Sequence, residues 1–309
     1  MCGPASRRFC LQLKPSDREG YGTVFCYPLS LEQSDTMTRT ATLAVGQYQC
    51  TVGDKDANLA RIEQLTREAA QQGAQLVCFP EMGATGFAGV DLHDLAEPIP
   101  GPSVQRLGDI ARQNRLSLIA GLPEVDLATG RLHNSCVLLD SQGNLAAHYR
   151  KRCLYLGEKQ RFAPGDRSVL FDASFGRLAL TICYDYVFAQ YIRQLVDAGA
   201  ELICHPTAWV TTDVCEEWHY SPMAFRAMGM TRALENGVFY LSANLWGACD
   251  TEGQLRAIGQ SAIIAPWGEV LAEVPTGEGV AVATVDFDAP KGWRQAAAPY
   301  QQDRSHLGF

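Results

Sequence analysis

The sequence has no apolar run as long as the roughly 18 residues that a helix needs to cross a bilayer. Its N-terminus also lacks the basic start, the apolar block and the small-residue cleavage site of a secretory signal peptide. We therefore expect a cytosolic protein that has no membrane partner.

The chain also has fewer basic than acidic residues. The chain carries 26 lysine and arginine residues against 34 aspartate and glutamate residues, which gives a net charge of -8 at pH 7. The basic residues are scattered along the chain rather than gathered into a patch that would follow a phosphate backbone. We expect no nucleic-acid partner.

Paired cysteines are missing as well. The 11 cysteines are an odd number spread over 309 residues and include no C-x-x-C pair, which favours reduced thiols over a disulfide framework. His205 directly follows Cys204, and His219 follows Cys215 at a short distance, but neither group has the paired spacing of a structural zinc motif. We therefore expect no bound metal.

Residues 1–36 show no sustained helix or strand period and contain scattered prolines and glycines. We interpret them as a poorly ordered extension and hypothesise that Met37 is the native start, since a regular pattern begins after it. The remaining residues, 37–309, then form one domain. An alternative function lies in the extension: Cys2, exposed once Met1 is removed, would resemble the N-terminal nucleophile of glutamine amidotransferases, although no strand is predicted around it.

Segments of strand and helix period alternate from residue 41 onward. Strands are predicted over residues 41–48 and 75–79 with a helix over 57–71 between them, which is the pattern of a parallel crossover unit. Hairpins over residues 133–149 and 259–274 add antiparallel strands. The pattern predicts one α/β domain of mixed sheets faced by helices.

Cys183 lies at a turn between a predicted strand and a predicted helix. Residues 178–182 form an apolar run of strand length, and an amphipathic helix is predicted over residues 186–197. Free backbone N–H groups at a helix start favour a thiolate and a developing oxyanion. Cys183 is therefore a candidate nucleophile, the alternative being a buried cysteine that packs as a small apolar side chain.

A carboxylate and an ammonium also follow predicted strands. Pro80 ends the second strand, so Glu81 is expected at the carboxyl edge of the sheet, where open α/β sheets build their sites. Lys151 ends the first hairpin, and strand alternation points it inward when Arg150 and Arg152 point outward. The alternative for Glu81 is a solvated loop carboxylate, and the alternative for Arg150, Lys151 and Arg152 is a solvated group of three cations.

Several short motifs follow one another along the chain. They are Phe79-Pro80-Glu81 with Thr85-Gly86-Phe87, Tyr149-Arg150-Lys151, Phe162 with Pro164-Gly165-Asp166, Ile182-Cys183-Tyr184-Asp185, Arg232-Ala233-Leu234-Glu235-Asn236 with Ala243-Asn244, residues 259–264 with Pro266 and Gly268, and residues 300–304. In this order they resemble the nitrilase superfamily of carbon-nitrogen hydrolases, and the resemblance covers residues 41–309.

The resemblance implies a four-layer αββα sandwich of two mixed sheets with a Glu-Lys-Cys triad. It makes Glu81 the general base and Cys183 the nucleophile that attacks a carbonyl or nitrile carbon. Lys151 would stabilise the tetrahedral oxyanion together with the backbone N–H of Tyr184. A small carboxamide would then form a thioester on Cys183 and release ammonia, and no metal or organic cofactor enters.

Two further site residues are implied by the same resemblance. Glu158 occupies the position of a second glutamate in the amidase and carbamoylase branches, where it would hold Lys151 and the substrate nitrogen. The alternative is an exposed ion pair of Glu158 with Lys159 or Arg161. Trp209 follows a predicted strand and would line the acyl pocket, the alternative being a core tryptophan.

The branch of the superfamily is suggested by what surrounds the nucleophile. Tyr184-Asp185 replaces the Trp-Glu of true nitrilases, which favours an amide substrate, and Phe188 is followed by Ala189-Gln190 where relatives often have Pro-Glu. The alternatives are an N-carbamoyl amine hydrolase, a nitrilase, an acyltransferase in which an amine captures the thioester, and an inactive relative that serves as a binding or scaffold protein.

The resemblance also implies self-association. The superfamily assembles through helical faces, and the predicted helices over residues 186–197 and 220–235 are long and apolar. We expect at least a homodimer, in which an extended tail, residues 291–309, crosses to the partner.

Overall fold

The computed structural model describes residues 39–87, 91–212, 215 and 217–297, with the side chains of residues 296 and 297 excepted. The predicted extension over residues 1–36, which contains Cys2, lies outside these residues. Met37 and the end of the predicted tail after residue 297 lie outside them as well.

The strands of the described residues are, in chain order, β1 Thr40–Gln47, β2 Leu76–Cys78, β3 Ser117–Val125, β4 Leu132–Leu139, β5 Leu145–Arg150, β6 Leu170–Ala173, β7 Gly176–Leu180, β8 Leu202–Thr207, β9 Val210–Thr211, β10 Phe239–Asn244, β11 Trp246–Ala248, β12 Arg256–Ile258, β13 Ser261–Ile264, β14 Val270–Val274 and β15 Gly279–Asp286.

The helices of the same residues are α1 Lys55–Gln71, α2 Leu92–Leu95, α3 Pro102–Asn114, α4 Glu158–Arg161, α5 Ala189–Asp197, α6 Met223–Asn236 and α7 Ala289–Ala297. A 3-10 helix, Cys183–Val187, precedes α5. None of the described helices is both long enough and apolar enough to cross a bilayer.

Two large mixed sheets carry the fold. The first has the strand order β15-β1-β2-β3-β4-β5, and the second has the order β14-β13-β10-β8-β7-β6. Side chains of both sheets, including Leu43, Ile119, Leu180 and Leu241, pack into one buried cluster between them. Helices α1 and α3 pack on the outer face of the first sheet, and α5 and α6 pack on the outer face of the second. The predicted αββα sandwich is confirmed.

Helix α1 illustrates how local sequence signals produce these layers. The carboxylate of Asp54 accepts a hydrogen bond from the Ala57 N–H at 2.9 Å and so caps the first turn. Leu59, Ile62 and Leu65 recur at helical spacing and are buried. The helix therefore covers the first sheet with one apolar face.

Strand direction brings the candidate residues to one end of the sandwich. β2 is parallel to β3, and β5 runs in the same direction because β3, β4 and β5 are joined by two antiparallel pairings. In the second sheet β7, β8 and β10 are parallel. The N–H of Ala208, just past β8, donates to the Glu81 carboxylate, just past β2, at 2.7 Å. The carboxyl ends of strands from both sheets therefore meet.

Three predicted elements differ from the structure. The helix predicted over residues 186–197 begins as the 3-10 helix, and α5 starts only at Ala189. The helix predicted over residues 220–235 starts at Met223, because the chain before it forms turns that include Pro222.

The extended conformation predicted from residue 291 is wrong as far as residue 297, where the chain is helical. Ala289 and Pro290 open α7, and a proline in the first helical turn is compatible with a helix because its missing N–H would have no partner there. The guanidinium of Arg294 anchors the helix to the Gly237 carbonyl at 3.4 Å.

The small sheet formed by β9, β11 and β12 in the described residues was absent from the prediction. Its strands have two or three residues each, which is too short for a strand period to be recognised.

Candidate active site

Four of the predicted site residues are buried at the end of the sandwich where the strands of both sheets meet. Glu81 is 0% exposed, Lys151 1%, Glu158 6% and Cys183 8%. Two carboxylates, one ammonium and a thiol therefore share a region from which water is largely excluded. Charges interact strongly in such a region.

A close backbone contact holds the turn that carries Glu81. A Cβ atom built on Gly121 of β3 would lie 2.7 Å from the Glu81 Cα atom and 2.7 Å from the Pro80 carbonyl oxygen. Only glycine leaves room for this approach. The next residue, Met82, has a φ of 50°, a left-handed conformation that bulky side chains rarely adopt. The turn is therefore held in one defined shape by its surroundings.

Lys151 is bound between two carboxylates. Its Nζ atom donates to Glu81 Oε1 at 2.8 Å and to Glu158 Oε1 and Oε2 at 2.9 and 2.7 Å. Burial alone would lower the pKa of Lys151, but Glu81, Cys183 and Glu158 outweigh it and raise the pKa above its ordinary value. The shift therefore favours the charged ammonium at neutral pH.

Glu158 opens the short helix α4 and faces the site. Its carboxylate accepts a hydrogen bond from the Tyr155 N–H at 2.7 Å, in addition to those from Lys151. Burial raises the pKa of Glu158, while Lys151 works in the opposite direction. The alternative for Glu158 was an exposed ion pair with Lys159 or Arg161. In the structure the side chain is instead buried and paired with Lys151.

Asn134 is a site residue that sequence reasoning missed. Its Nδ2 atom donates to Glu81 Oε1 at 2.6 Å and to Glu158 Oε1 at 2.9 Å, so one amide holds both carboxylates. Asn134 lies in β4 and is 0% exposed. The sequence gives no signal that singles it out, because its neighbours His133 and Ser135 are polar as well.

The nucleophile candidate is held by a network behind it. Asp185 Oδ2 accepts hydrogen bonds from the Ile182 N–H at 2.8 Å and the Tyr149 hydroxyl at 2.7 Å, and its Oδ1 accepts from the Cys153 N–H at 2.8 Å. Cys183 itself has a φ of 46°. Such left-handed strain in a non-glycine residue persists only where the surroundings impose it, and it is common at functional sites.

The protonation of Cys183 depends on its neighbours. Burial raises the pKa of the thiol, and the Glu81 carboxylate raises it further, whereas Lys151 and the Thr207 hydroxyl act in the opposite direction. The thiol is therefore neutral at rest and requires a base to form a thiolate. Glu81 is the carboxylate whose charge acts most strongly on it.

Tyr184 follows Cys183 and is part of an aromatic group at the surface. Its ring lies 4.9 Å from the Tyr155 ring and 5.2 Å from the Phe188 ring, measured between centroids. Tyr155 and Phe188 are exposed. The backbone N–H of Tyr184 belongs to the first turn of the 3-10 helix, where N–H groups have no partner within the helix.

Trp209 is partly buried beyond the end of β8. Its Nε1 atom donates to the Tyr220 hydroxyl at 2.8 Å, and its ring packs 5.3 Å from Tyr186 and 5.7 Å from Phe225. The residue thus packs against core side chains and is still partly exposed.

The two histidines considered for zinc binding, His205 and His219, differ in their surroundings. His205 is fully buried, its Nδ1 atom lies 2.8 Å from Thr181 Oγ1, and burial lowers its pKa to about 3, so the ring is neutral. His219 is exposed. The described residues include no group of three or more histidine, cysteine, aspartate or glutamate side chains that is suited to hold a metal ion.

The arrangement can generate a thiolate and stabilise a negative charge next to it. Glu81 is a buried carboxylate, and its charge acts on the thiol of Cys183. Lys151 is a cation held in place by hydrogen bonds. These are the parts required for attack of sulfur on a carbon that is double-bonded to oxygen or triple-bonded to nitrogen.

The chain is similar to known proteins of one family. The sequence model of the carbon-nitrogen hydrolase family matches residues 42–295. Omega-amidase NIT2 of Bos taurus is 33% identical over 278 residues, which cover 86% of this chain and 97% of that protein. A nitrilase of Pyrococcus abyssi is 36% identical over 240 residues, which cover 76% of this chain and 85% of that protein.

A solved structure shows the same similarity. A mutant of the amidase from Nesterenkonia sp. AN1 superposes with a TM-score of 0.70 at 26% identity, covering 85% of this chain and 99% of that one. In that amidase, acrylamide has undergone Michael addition at the active-site cysteine.

Proposed function

Because this chain belongs to the carbon-nitrogen hydrolase family, within the nitrilase superfamily, we propose that it hydrolyses a small carboxamide with Cys183 as nucleophile, Glu81 as base and Lys151 as oxyanion partner. Membership makes it an amidase-type enzyme that cleaves non-peptide carbon-nitrogen bonds by thiol chemistry. The buried ion cluster of Lys151 with two carboxylates beside Cys183 is the observation that supports the assignment of roles.

The first half of the reaction forms a thioester. Glu81 takes the proton of the Cys183 thiol, and the sulfur attacks the amide carbon. The oxyanion that develops is stabilised by the ammonium of Lys151 and by the backbone N–H of Tyr184. Glu81 then gives its proton to the departing nitrogen, ammonia leaves, and the acyl group remains on sulfur.

The second half releases the acid. Glu81, again a carboxylate, takes a proton from a water molecule that attacks the thioester carbon. The same cation and N–H stabilise the second oxyanion. When the carbon-sulfur bond breaks, the electron pair returns to sulfur, which recovers the proton from Glu81. The carboxylic acid leaves and loses its remaining proton to the solvent.

Glu158 acts through its neighbours in this scheme. Its two hydrogen bonds to Lys151 fix the position of the ammonium, and its carboxylate is available to orient the substrate nitrogen. We assign Trp209 to the wall of the acyl pocket, where its partly buried ring lies beyond β8 and beside Tyr220.

The relatives support an amide as the substrate. The bovine relative is an omega-amidase, and the Tyr184-Asp185 pair after the nucleophile differs from the Trp-Glu of true nitrilases. The second candidate is nitrile hydrolysis, which the identity of 36% to a Pyrococcus abyssi nitrilase favours. An N-carbamoyl amine is the third substrate class that the same triad would serve.

Ammonia release from a panel of small amides, N-carbamoyl amines and nitriles tests these assignments. We expect release from at least one amide with the wild-type enzyme and none with Cys183→Ala. Cys50→Ala is the matched control, because Cys50 is also a buried free cysteine but lies in the core between the first sheet and its helices. Retained hydrolysis in Cys183→Ala would overturn the assignment of the nucleophile.

The same panel separates the remaining alternatives. Repeating it with added amines would divert the thioester into a new amide if the enzyme were an acyltransferase. A folded protein that releases no ammonia, and whose Cys183 reacts with thiol reagents no faster than Cys50, would indicate a binding or scaffold protein.

We further propose that the enzyme is at least a homodimer that forms through α5 and α6. Phe188, at the start of α5, is 39% exposed, and Met223 and Leu234 of α6 are 64% and 43% exposed. Apolar side chains on neighbouring helices are suited to an interface between copies. Sedimentation at micromolar concentration should give at least a dimer mass, and removing the residues after 291 tests whether the tail contributes.

A cytosolic location is proposed from the cysteines. The eight cysteines of the described residues are all free, which suits a reducing compartment. Fractionation of the native source should recover the activity with cytosolic marker enzymes, and recovery with a secreted fraction would refute the proposal.

A further inference from the structure

The nucleophile and Thr207 follow neighbouring parallel strands. Leu180 of β7 pairs with Cys204 of β8, and just past the end of β7 the N–H of Thr181 donates to the Cys204 carbonyl at 3.1 Å. Cys183 opens the 3-10 helix that follows β7, and Thr207 is the last residue of β8. Both residues therefore lie at the same end of the second sheet.

The side chain of Thr207 is unusual among the groups at this end of the sandwich. It is 0% exposed, and its Oγ1 atom has no hydrogen-bond partner of ordinary geometry among the described residues. The next N–H along the chain, that of Ala208, is already bound to Glu81. A buried hydroxyl without a partner is costly, so an acceptor that forms only during the reaction would explain it.

The sulfur of Cys183, which follows the neighbouring strand β7, is the candidate for that acceptor. Burial raises the pKa of the thiol, and hydrogen bonding of the Thr207 hydroxyl to the ionised sulfur acts in the opposite direction. A neutral thiol accepts hydrogen bonds weakly, whereas hydrogen bonds to charged acceptors are short and strong. The contact is therefore weak at rest and strengthens when the proton leaves.

The ammonium of Lys151 is engaged with both carboxylates of the site. Its Nζ atom lies 2.8 Å from Glu81 Oε1 and 2.9 and 2.7 Å from the two oxygens of Glu158. It attracts a thiolate on Cys183 through its charge. A hydroxyl donor next to the sulfur would add a directed hydrogen bond to this attraction.

We propose that Thr207 is a further catalytic residue, whose hydroxyl donates a hydrogen bond to the Cys183 thiolate. The inference rests on the proposed function, in which Cys183 is the nucleophile. When Glu81 takes the thiol proton, Thr207 holds the sulfur anion until the carbon-sulfur bond forms. When water has added to the thioester and that bond breaks, the electron pair returns to sulfur, and Thr207 donates to the leaving thiolate.

Two substitutions at this position isolate the hydroxyl. Thr207→Val keeps the size and branching of the side chain and removes the donor, whereas Thr207→Ser keeps the donor. Ser242→Ala is the matched control, because Ser242 of β10 is also buried with an Oγ atom that has no partner among the described residues. Each variant is compared with the wild type by thermal unfolding, ammonia release and alkylation of Cys183 by iodoacetate, which is not an amide.

Alkylation is the decisive readout because it requires the thiolate but no substrate. It is followed across neutral to alkaline pH by mass spectrometry of the peptide that contains Cys183. In Thr207→Val we expect the neutral-pH alkylation rate and kcat to fall about tenfold and the pH midpoint of alkylation to rise by about one unit. Thr207→Ser should recover most of the rate, and Ser242→Ala should match the wild type.

Stability separates this role from a structural one. Because the hydroxyl has no partner at rest, Thr207→Val should unfold at the wild-type temperature or above it. Wild-type alkylation in Thr207→Val would overturn the inference, and so would equal losses in the Val and Ser variants together with a lower unfolding temperature. Undiminished ammonia release in Cys183→Ala would overturn the proposed function itself.

Discussion

Lys151 and Glu158 form a buried ion pair in which the lysine Nζ atom contacts both carboxylate oxygens, Oε1 at 2.9 Å and Oε2 at 2.7 Å. The pair spans the loop between β5 and α4. Because Glu81 binds the same ammonium, two carboxylates surround one cation, and the cluster carries one excess negative charge while both are ionised. A charge that develops on a substrate oxygen is therefore stabilised only if Lys151 keeps its position.

The first prediction concerns the side chain that holds this position. Glu158→Gln keeps the shape of the side chain but replaces a charged acceptor of Lys151 with a neutral amide. We expect kcat to fall on the order of 100-fold, as when one preorganised electrostatic group of an active site is lost, while the protein stays folded. Steady-state kinetics with the best amide of the panel, with circular dichroism as a folding check, would measure this.

Lys159→Ala is the control for that variant. Lys159 is exposed and adjacent to Glu158, and it was one of the cations considered as a surface partner. Its loss should leave kcat unchanged. An equal loss of activity in both variants would mean that the surface pair matters and that the buried contact to Lys151 does not.

The second prediction concerns Asn134, whose amide donates to Glu81 and Glu158 at once. Asn134→Ala removes one neutral donor from each carboxylate, and a hydrogen bond to a charged group contributes about 1.5–3 kcal/mol. We expect kcat to fall at least tenfold, with a loss of unfolding free energy of about 2 kcal/mol. Kinetics and urea unfolding of the same preparation would show both effects. Wild-type kinetics would mean that the carboxylates are positioned without this amide.

The third prediction tests the turn that presents Glu81. Gly121→Ala would place a Cβ atom 2.7 Å from the Glu81 Cα, the Met82 N and the Pro80 O atoms, all of which belong to the backbone. Overpacking of this kind costs about 1–3 kcal/mol and here displaces the base itself. We expect a lower unfolding free energy and a kcat reduced about 100-fold, since small displacements of reacting groups cost that much.

Gly157→Ala provides the comparison for that change. Gly157 precedes Glu158, its φ of -62° suits alanine, and a Cβ atom there meets nothing within 4 Å. The variant should be as stable as the wild type and as active. If Gly121→Ala behaved in the same way, the turn would be more adaptable than its contacts indicate.

The sequence predicted residues whose positions are marked by local signals. Pro80 marks the end of a strand and so locates Glu81, and the hairpin pattern locates Lys151 in the same way. The αββα architecture followed from the resemblance. In the structure, Glu81, Lys151, Cys183 and Glu158 lie together at one end of the sandwich.

Asn134 and Thr207 had no such local signal. Each lies in a strand that contains other polar residues, and its neighbours in space depend on strand register and on how the two sheets face each other. The tail was mispredicted for a different reason: the helical residues after Ala289 follow a proline, which was interpreted as part of an extended segment although it stands at a helix start.

The last prediction concerns acid stability and a carboxylate outside the active site. Burial would raise the pKa of Glu124, but hydrogen bonds from His148, Arg150 and Ser135 outweigh it and lower the pKa from 4.5 to about 2. A carboxyl whose pKa is lower in the folded than in the unfolded state contributes stability above its unfolded pKa. That contribution is lost as the pH falls through the folded pKa. For Glu124 it is therefore complete above about pH 4.5 and disappears toward pH 2.

Glu124→Gln should remove this contribution. We expect it to unfold more easily than the wild type at pH 7, by about 1–3 kcal/mol, because Arg150 loses a charged partner. The difference should shrink as the pH falls from 4.5 toward 2, where the wild-type carboxyl is itself protonated. Asp172→Asn is the control, since Asp172 pairs with Arg177 at an exposed site and should change stability little at any pH. Urea unfolding of the three proteins across this range measures the effect, and a deficit in Glu124→Gln that stayed constant down to pH 2 would show that it does not come from the charge of the Glu124 carboxylate.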